Sequence, residues 1–110
     1  MQNYCIVIEL KEEHVDEYVD LHKNAWPEML KEIKKAGVVQ ECLYNYKNLS
    51  IVFFECDDID AVYARLGEKD IVKKWDATVG PWFAGGFNYP EKIFDLNEQL
   101  SALENNKEEK

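Results

Sequence analysis

The spacing of apolar residues changes near residue 11, and this change constrains the fold more than any other feature of the chain. In residues 4–10 the apolar side chains follow the period of two that is typical of a β-strand. In residues 14–36 they follow helical spacing instead, and Gly37 stands where helices commonly end on glycine. The chain is therefore expected to begin with a strand followed by a long helix.

The remaining segments continue the alternation of strands and helices. Residues 38–44 and 49–55 are strand-like, and the turn-forming residues 45–48 between them predict a hairpin. Further along, we expect a helix at 59–66 capped by Asp57 and Asp58, and a break at Gly67. A second helix should be capped by Asp70 and end before Gly80. We expect a loop at 80–90 and a last strand at 92–96.

The resulting order, β-α-β-β-α-β, predicts an α+β fold of the ferredoxin-like type, in which a split βαβ antiparallel sheet carries its helices on one face. Residues 51–54 are apolar on both sides of their strand, so the second face of the sheet is expected to be buried as well. We therefore predict a homodimer with the two sheets packed face to face, a dimeric α/β-barrel.

The length of 110 residues predicts one domain, which we place at residues 1–97. Residues 98–110 are expected to form a polar tail that frays or is disordered. A net charge of −9, from 22 acidic and 13 basic residues, disfavours nucleic acid and anionic membranes as partners and leaves a neutral small molecule as the expected ligand.

The three cysteines and the start of the chain predict where the protein is found. Cys5, Cys42 and Cys56 each lie in an apolar run and are odd in number, so free buried thiols are expected, as in a reducing cytosol. The start of the chain has no basic leader and no long apolar stretch. We predict a cytoplasmic protein that neither enters nor crosses a membrane.

A tyrosine and a histidine share the apolar face of the first helix. Tyr18 and His22 are four positions apart, so their side chains are neighbours and can serve one bound group, although both could equally be core residues. Pro27 should break the helix one turn after His22, and Asn24 could cap the segment that restarts. A break at this point would open backbone groups beside the histidine ring.

The sequence around this break resembles a known family. His22, Trp26, Pro27 and Glu28 match the H-x-x-x-W-P-E signature of L-rhamnose mutarotases, and Tyr18 matches the family's tyrosine one turn upstream. The similarity covers nearly the whole domain. It implies that His22 is the proton donor, that Tyr18 contacts the sugar, and that Trp75 forms an apolar wall, with Trp26 also stacking on the sugar.

Two positions depart from the rhamnose pattern. Asp76 stands where rhamnose enzymes typically carry a second tryptophan, and Glu41 stands where they carry a tyrosine. At Trp75 and Asp76 the chain is more similar to fucose-type mutarotases. Asp76 and Glu41 could each assist proton transfer or bind sugar hydroxyls, and Asp76 could instead face solvent.

The expected function is therefore that of an isomerase, a mutarotase that interconverts the α and β anomers of a 6-deoxy-hexose by acid/base ring opening and closure. L-Rhamnose is the first expected substrate, and L-fucose or another sugar is the alternative. Neither a cofactor nor a metal is expected, since the two histidines have no metal-ligand spacing. A dimeric α/β-barrel monooxygenase and a small-ligand binding module are the rival interpretations; neither predicts the tyrosine, histidine and Trp-Pro-Glu set on one helix.

Overall fold

The computed structural model describes residues 2–108, and side chains are described up to residue 105. The regular elements are β1 (Gln2–Leu10), α1 (Val15–Lys23), α2 (Pro27–Lys35), β2 (Gln40–Tyr46), β3 (Leu49–Cys56), α3 (Ile59–Gly67), α4 (Asp70–Val79), β4 (Phe83–Asn88) and α5 (Leu96–Glu108), with single 3-10 turns at Glu12–His14 and Gly80–Trp82.

The sheet has the strand order β2-β3-β1-β4, and each pair of neighbouring strands is antiparallel. This is the ferredoxin-like arrangement, so the predicted fold is confirmed. One face of the sheet carries the buried side chains of alternate residues, including Ile6, Ile8 and Leu10 of β1 and Val52 and Phe54 of β3. The helices pack on this inner face through Tyr18, Met29, Val62, Val72, Trp75 and Val79.

The predicted break in the first helix is confirmed, and it divides α1 from α2. Pro27 is the first residue of α2, where its fixed φ angle and missing N–H are tolerated. Trp26 before it is extended, with φ −64° and ψ 128°, because a following proline disfavours helical geometry. The expectation that Asn24 caps α2 was wrong: Asn24 ends α1, and its Nδ2 donates a hydrogen bond to the Asp20 carbonyl at 3.1 Å.

Two of the other predicted helix ends are confirmed and one is not. Gly37 follows α2 with a φ of 111°, a conformation that suits glycine. Asp58 caps α3, since its Oδ1 accepts a hydrogen bond from the Ala61 N–H at 3.1 Å. Asp70, however, is the first residue of α4 and Lys69 holds the cap position, so the predicted cap at Asp70 was wrong.

The last strand lies earlier in the chain than predicted. Residues 80–90, expected to be a loop, contain β4, whereas residues 92–95 form no regular element and α5 begins at Leu96. Phe83 and Phe87 are the partners of Leu10 and Ile8 of β1, and a register shift between these pairs accommodates the glycines. Pairing with β1 therefore makes this segment a strand despite the poor strand propensity of its glycines.

The C-terminal segment is helical as far as residue 108, so the expectation that it frays was wrong for the described residues; residues 109–110 lie outside them. Leu96, Leu100 and Leu103 of α5 are 59%, 47% and 59% exposed, and Ile93 before the helix is 87% exposed. The longest dimension of the described chain is 57 Å. The boundary of the domain at residue 97 stays a prediction.

The outer face of the sheet is also rich in apolar side chains. Cys5 pairs with Phe53, which pairs in turn with Cys42, and these residues point away from the helices. Tyr44 and Tyr46 on the same face are each 61% exposed. All three cysteines are free, as predicted; Cys56 is buried, whereas Cys5 and Cys42 are half-buried.

No helix within residues 2–108 has the length and apolar character needed to span a membrane.

Candidate active site

Two cavities, of about 390 and 630 Å³, lie between the helices and the inner face of the sheet. They adjoin, because they share the lining residues Tyr18, His22, Met29, Ile33, Glu41, Leu43 and Trp75. Four of the predicted site residues are therefore brought together: Tyr18, His22, Glu41 and Trp75. The apolar members of the shared wall give this region a largely hydrophobic lining.

Tyr18 is held in place by a buried serine that the sequence analysis did not identify. The Tyr18 hydroxyl and Ser50 Oγ share a hydrogen bond of 2.8 Å, and Ser50 is only 1% exposed. Burial is the main cause that raises the pKa of Tyr18, so the phenol stays protonated near neutral pH. A signal was present in the sequence, because Ser50 occupies the same inward phase of β3 as Val52 and Phe54.

The His22 ring is oriented by its own helix. Its Nδ1 lies 2.7 Å from the backbone oxygen of Tyr18, and because a carbonyl only accepts hydrogen bonds, Nδ1 carries a proton. The neutral ring then has its lone pair on Nε2. Burial lowers the pKa of His22, with the hydrogen bond to Tyr18 acting in the opposite direction. The neutral imidazole is thus favoured, with Nε2 available as a base.

Aromatic rings surround His22. The Tyr18 and His22 ring centroids are 4.2 Å apart, and the Trp75 ring meets His22 edge to face at 5.1 Å. Trp26 packs edge to face against Trp75 at 5.1 Å, and Lys74 Nζ lies 5.2 Å from the Trp26 centroid. Trp26 therefore supports Trp75 from behind, whereas Trp75 itself faces the cavities.

Glu41 and Asp76 approach the cavities from different elements. Glu41 lies on the inner face of β2 as the partner of Phe54, and it lines both cavities. Its side chain retains solvent contact, yet the surrounding protein removes enough hydration to raise the pKa of its carboxyl. Asp76 on α4 lines the larger cavity, is also exposed, and has a pKa raised by partial burial.

The second histidine lies apart from this group. His14 Nδ1 is 2.9 Å from Glu17 Oε1, and its ring stacks near Trp82 with centroids 6.1 Å apart. Among residues 2–108, the His, Cys, Asp and Glu side chains form no group of three that could hold a metal ion. The signature residue Glu28 lies in the first turn of α2, where a carboxylate is favoured by the helix dipole.

A family model described as L-rhamnose mutarotase matches residues 3–105, and thus almost the entire chain. The chain belongs to the L-rhamnose mutarotase family. Mutarotases are isomerases that act on sugars, so the predicted family and enzyme class are confirmed. An L-rhamnose mutarotase from Lactiplantibacillus plantarum is 29% identical to this family member over 99 residues, which make up 88% of this chain and 84% of that protein.

Solved structures show how widely the fold of this mutarotase family is shared. An L-rhamnose mutarotase from Formosa agariphila superposes with a TM-score of 0.72 at 18% identity, covering 87% of this chain and 99% of that one. An antibiotic biosynthesis monooxygenase superposes with a TM-score of 0.61 at 10% identity, covering 86% of this chain and all of that one. At these identities the likeness concerns the fold alone, so the chemistry must be argued from the cavity.

Proposed function

We propose that the chain is a mutarotase for a 6-deoxy-hexose, with L-rhamnose as the first substrate and His22 as its principal acid/base group. The observation that carries this proposal is the His22 ring: its Nδ1 is committed to the Tyr18 carbonyl, and the ring lines both cavities. A neutral imidazole with a free Nε2 is suited to proton transfer near neutral pH.

Ring opening requires two proton movements. Nε2 of His22 takes the proton of the anomeric hydroxyl, an acid protonates the ring oxygen, the bond from the anomeric carbon to the ring oxygen breaks, and an aldehyde forms. Rotation about the neighbouring carbon–carbon bond presents the other face of the aldehyde. Closure reverses both transfers, so His22 then acts as the proton donor and the enzyme is regenerated without a cofactor.

The lining of the cavity suits a sugar that lacks one hydroxyl. Met29, Ile33 and Leu43 form apolar wall, which favours a methyl group over a hydroxymethyl group because burying an unpaired hydroxyl is costly. Trp75 offers a ring face against which the apolar side of a pyranose can stack. In this proposal Tyr18 contacts the sugar, and Trp26 acts through Trp75.

The test is saturation-transfer NMR between the two anomeric protons of each of several sugars, with and without the protein. We expect faster exchange for L-rhamnose or L-fucose than for their counterparts that carry a C6 hydroxyl, L-mannose and L-galactose. Exchange that stays at the rate in buffer for all four sugars would contradict the proposal.

L-Fucose is the second candidate substrate, and Asp76 favours it. The Asp76 carboxylate lines the larger cavity and can accept hydrogen bonds from sugar hydroxyls. An indole at this position would offer one hydrogen-bond donor and apolar surface. Fucose and rhamnose differ in hydroxyl orientation, so Asp76→Asn and Asp76→Trp should change the ratio of the two exchange rates. An unchanged ratio in both variants would exclude Asp76 from sugar selection.

A second copy of the chain is the proposed protein partner, bound through the outer face of the sheet. The apolar side chains of Cys5, Phe53 and Cys42 cross this face in one row, flanked by the exposed Tyr44 and Tyr46. Exposed apolar patches of this kind commonly mark interfaces. Light scattering should report a dimer at micromolar concentration, and Phe53→Lys should yield monomers; a monomeric wild type would contradict this.

The free thiols suit the reducing cytoplasm, where we expect the protein to act.

A further inference from the structure

We propose that Glu41 is the second proton-transfer group of this site, the acid that protonates the ring oxygen while His22 takes the anomeric proton. This inference rests on the proposed function and extends it to a residue that stands outside the signature around His22. It starts from the shared wall of the two cavities, whose titratable members within the described residues are Tyr18, His22 and Glu41.

Glu41 and His22 face the cavity from different layers of the fold. His22 belongs to α1 in the helical layer, whereas Glu41 belongs to β2 and lies on the inner face of the sheet opposite Phe54. A pyranose held between the two layers can be reached by His22 from the helical side and by Glu41 from the sheet side. The placement therefore allows one group to serve each oxygen.

The other titratable groups that face Glu41 are less suited to the role. The Tyr18 hydroxyl on α1 is engaged by Ser50, and Tyr63 on α3 has its pKa raised to about 12, so both phenols are poor proton donors for rapid exchange. Asp76 on α4 and Tyr89 after β4 line only the larger cavity, and Lys23 at the end of α1 lines only the smaller one.

The pKa shifts of the pair run in opposite directions. Loss of hydration raises the pKa of the Glu41 carboxyl and lowers the pKa of the His22 ring, so each shift is towards the neutral form of its group. In ring opening the Glu41 proton passes to the ring oxygen and the anomeric proton passes to His22 Nε2. In ring closure both protons return, so atoms and charge balance over the cycle.

The test compares Glu41→Gln with the wild type by anomer-exchange NMR across pH 4.5–9. We expect Glu41→Gln to lower the rate by about 10²-fold, the lower bound for a positioned acid. The wild-type rate should fall on the alkaline side as Glu41 loses its proton, and this fall should disappear in Glu41→Gln. Glu41→Asp, which keeps a carboxyl, should retain the alkaline fall at a reduced rate.

Glu55→Gln is the matched control, because Glu55 lies on the outer face of the same hairpin as the partner of Gln40. It should keep both the rate and the pH profile of the wild type. A Glu41→Gln variant that keeps the wild-type rate and alkaline fall would overturn the role assigned to Glu41 and would leave the proposed function standing. A wild type that accelerates no sugar would overturn the proposed function, and this inference with it.

Thermal unfolding provides a readout that does not depend on activity. Since burial raises the pKa of Glu41 in the folded protein, its charged form destabilises the fold, and this cost grows as pH rises from the unfolded value of about 4.3. Glu41→Gln should therefore melt at a higher temperature than the wild type at pH 8, with the difference shrinking towards pH 4.5. A variant that melts lower than the wild type at pH 8 would show that Glu41 is a structural residue, and would overturn the inference.

Discussion

At the scale of single residues, the site depends on two hydrogen bonds that converge on Tyr18. Its hydroxyl is joined to Ser50 at 2.8 Å, and its backbone oxygen is bound by the His22 ring at 2.7 Å. The first bond links α1 to β3, and the second fixes which nitrogen of His22 is free. The position of the base therefore depends on the position of Tyr18.

Tyr18→Phe should lower the free energy of unfolding by about 1–3 kcal/mol, because it leaves the buried Ser50 hydroxyl without its partner. The double variant Tyr18→Phe with Ser50→Ala should recover much of this loss, since both partners are then apolar. Urea denaturation of the two single variants and the double variant measures the coupling. Additive effects of the two single changes would contradict a direct bond.

The His22 ring should titrate below the ordinary histidine value of about 6.5, because burial disfavours its charged form. The neutral base is then present above this lowered pKa and is lost as pH falls through it, so the dependence of catalysis on this base should appear as a fall in rate on the acid side. NMR titration of the ring protons in the folded protein measures the midpoint, with the protein unfolded in urea as the reference. A folded midpoint at or above the unfolded one would contradict this.

The predictability of the site also differs from residue to residue. Tyr18 and His22 could be paired from the sequence because helical spacing fixes which side chains are neighbours. The direction of Glu41 could not be obtained in this way, since it depends on the register between β2 and β3, which long-range pairing determines. The inward phase of Ser50 in β3 could be predicted, but its partner could not, because Tyr18 lies 32 positions away in the sequence.

At the scale of the elements, the junction between α1 and α2 is the part that the sequence predicted best. Proline constrains both its own φ angle and the conformation of the residue before it, so the local sequence was sufficient. The position of β4 was not predictable in the same way, because Gly85 and Gly86 have low strand propensity and only pairing with β1 makes the segment a strand. The helical spacing of Leu96, Leu100 and Leu103 in α5 was available but was outweighed by the polar composition around it.

Pro27→Ala should lower the free energy of unfolding by about 0.4–1 kcal/mol, since alanine releases the unfolded chain from the restraint that proline imposes. The native conformation at position 27 is compatible with proline, so the wild type gains from it. Thermal or urea unfolding measures the difference. A variant at least as stable as the wild type would contradict this prediction.

At the scale of the whole molecule, the cavities and the C-terminal helix are separate features. The residues that line both cavities all precede residue 90, whereas α5 begins at Leu96 and exposes its leucines. Removal of residues 98–110 should therefore leave the anomer-exchange rate within about twofold of the wild type, in keeping with sites that share no contacts. A loss of exchange in the truncated chain, with its thermal midpoint unchanged, would show that the C-terminal segment contributes to the site.

The most direct test of the central claim is the rate of exchange between the α and β anomers of L-rhamnose and L-fucose, measured for wild type, His22→Ala and His14→Ala. His14 is the matched control, because it is bonded to Glu17 and lies away from the cavities. We predict that His22→Ala lowers the accelerated rate by about 10²- to 10⁴-fold while His14→Ala retains it. Equal rates in wild type and His22→Ala would contradict the account.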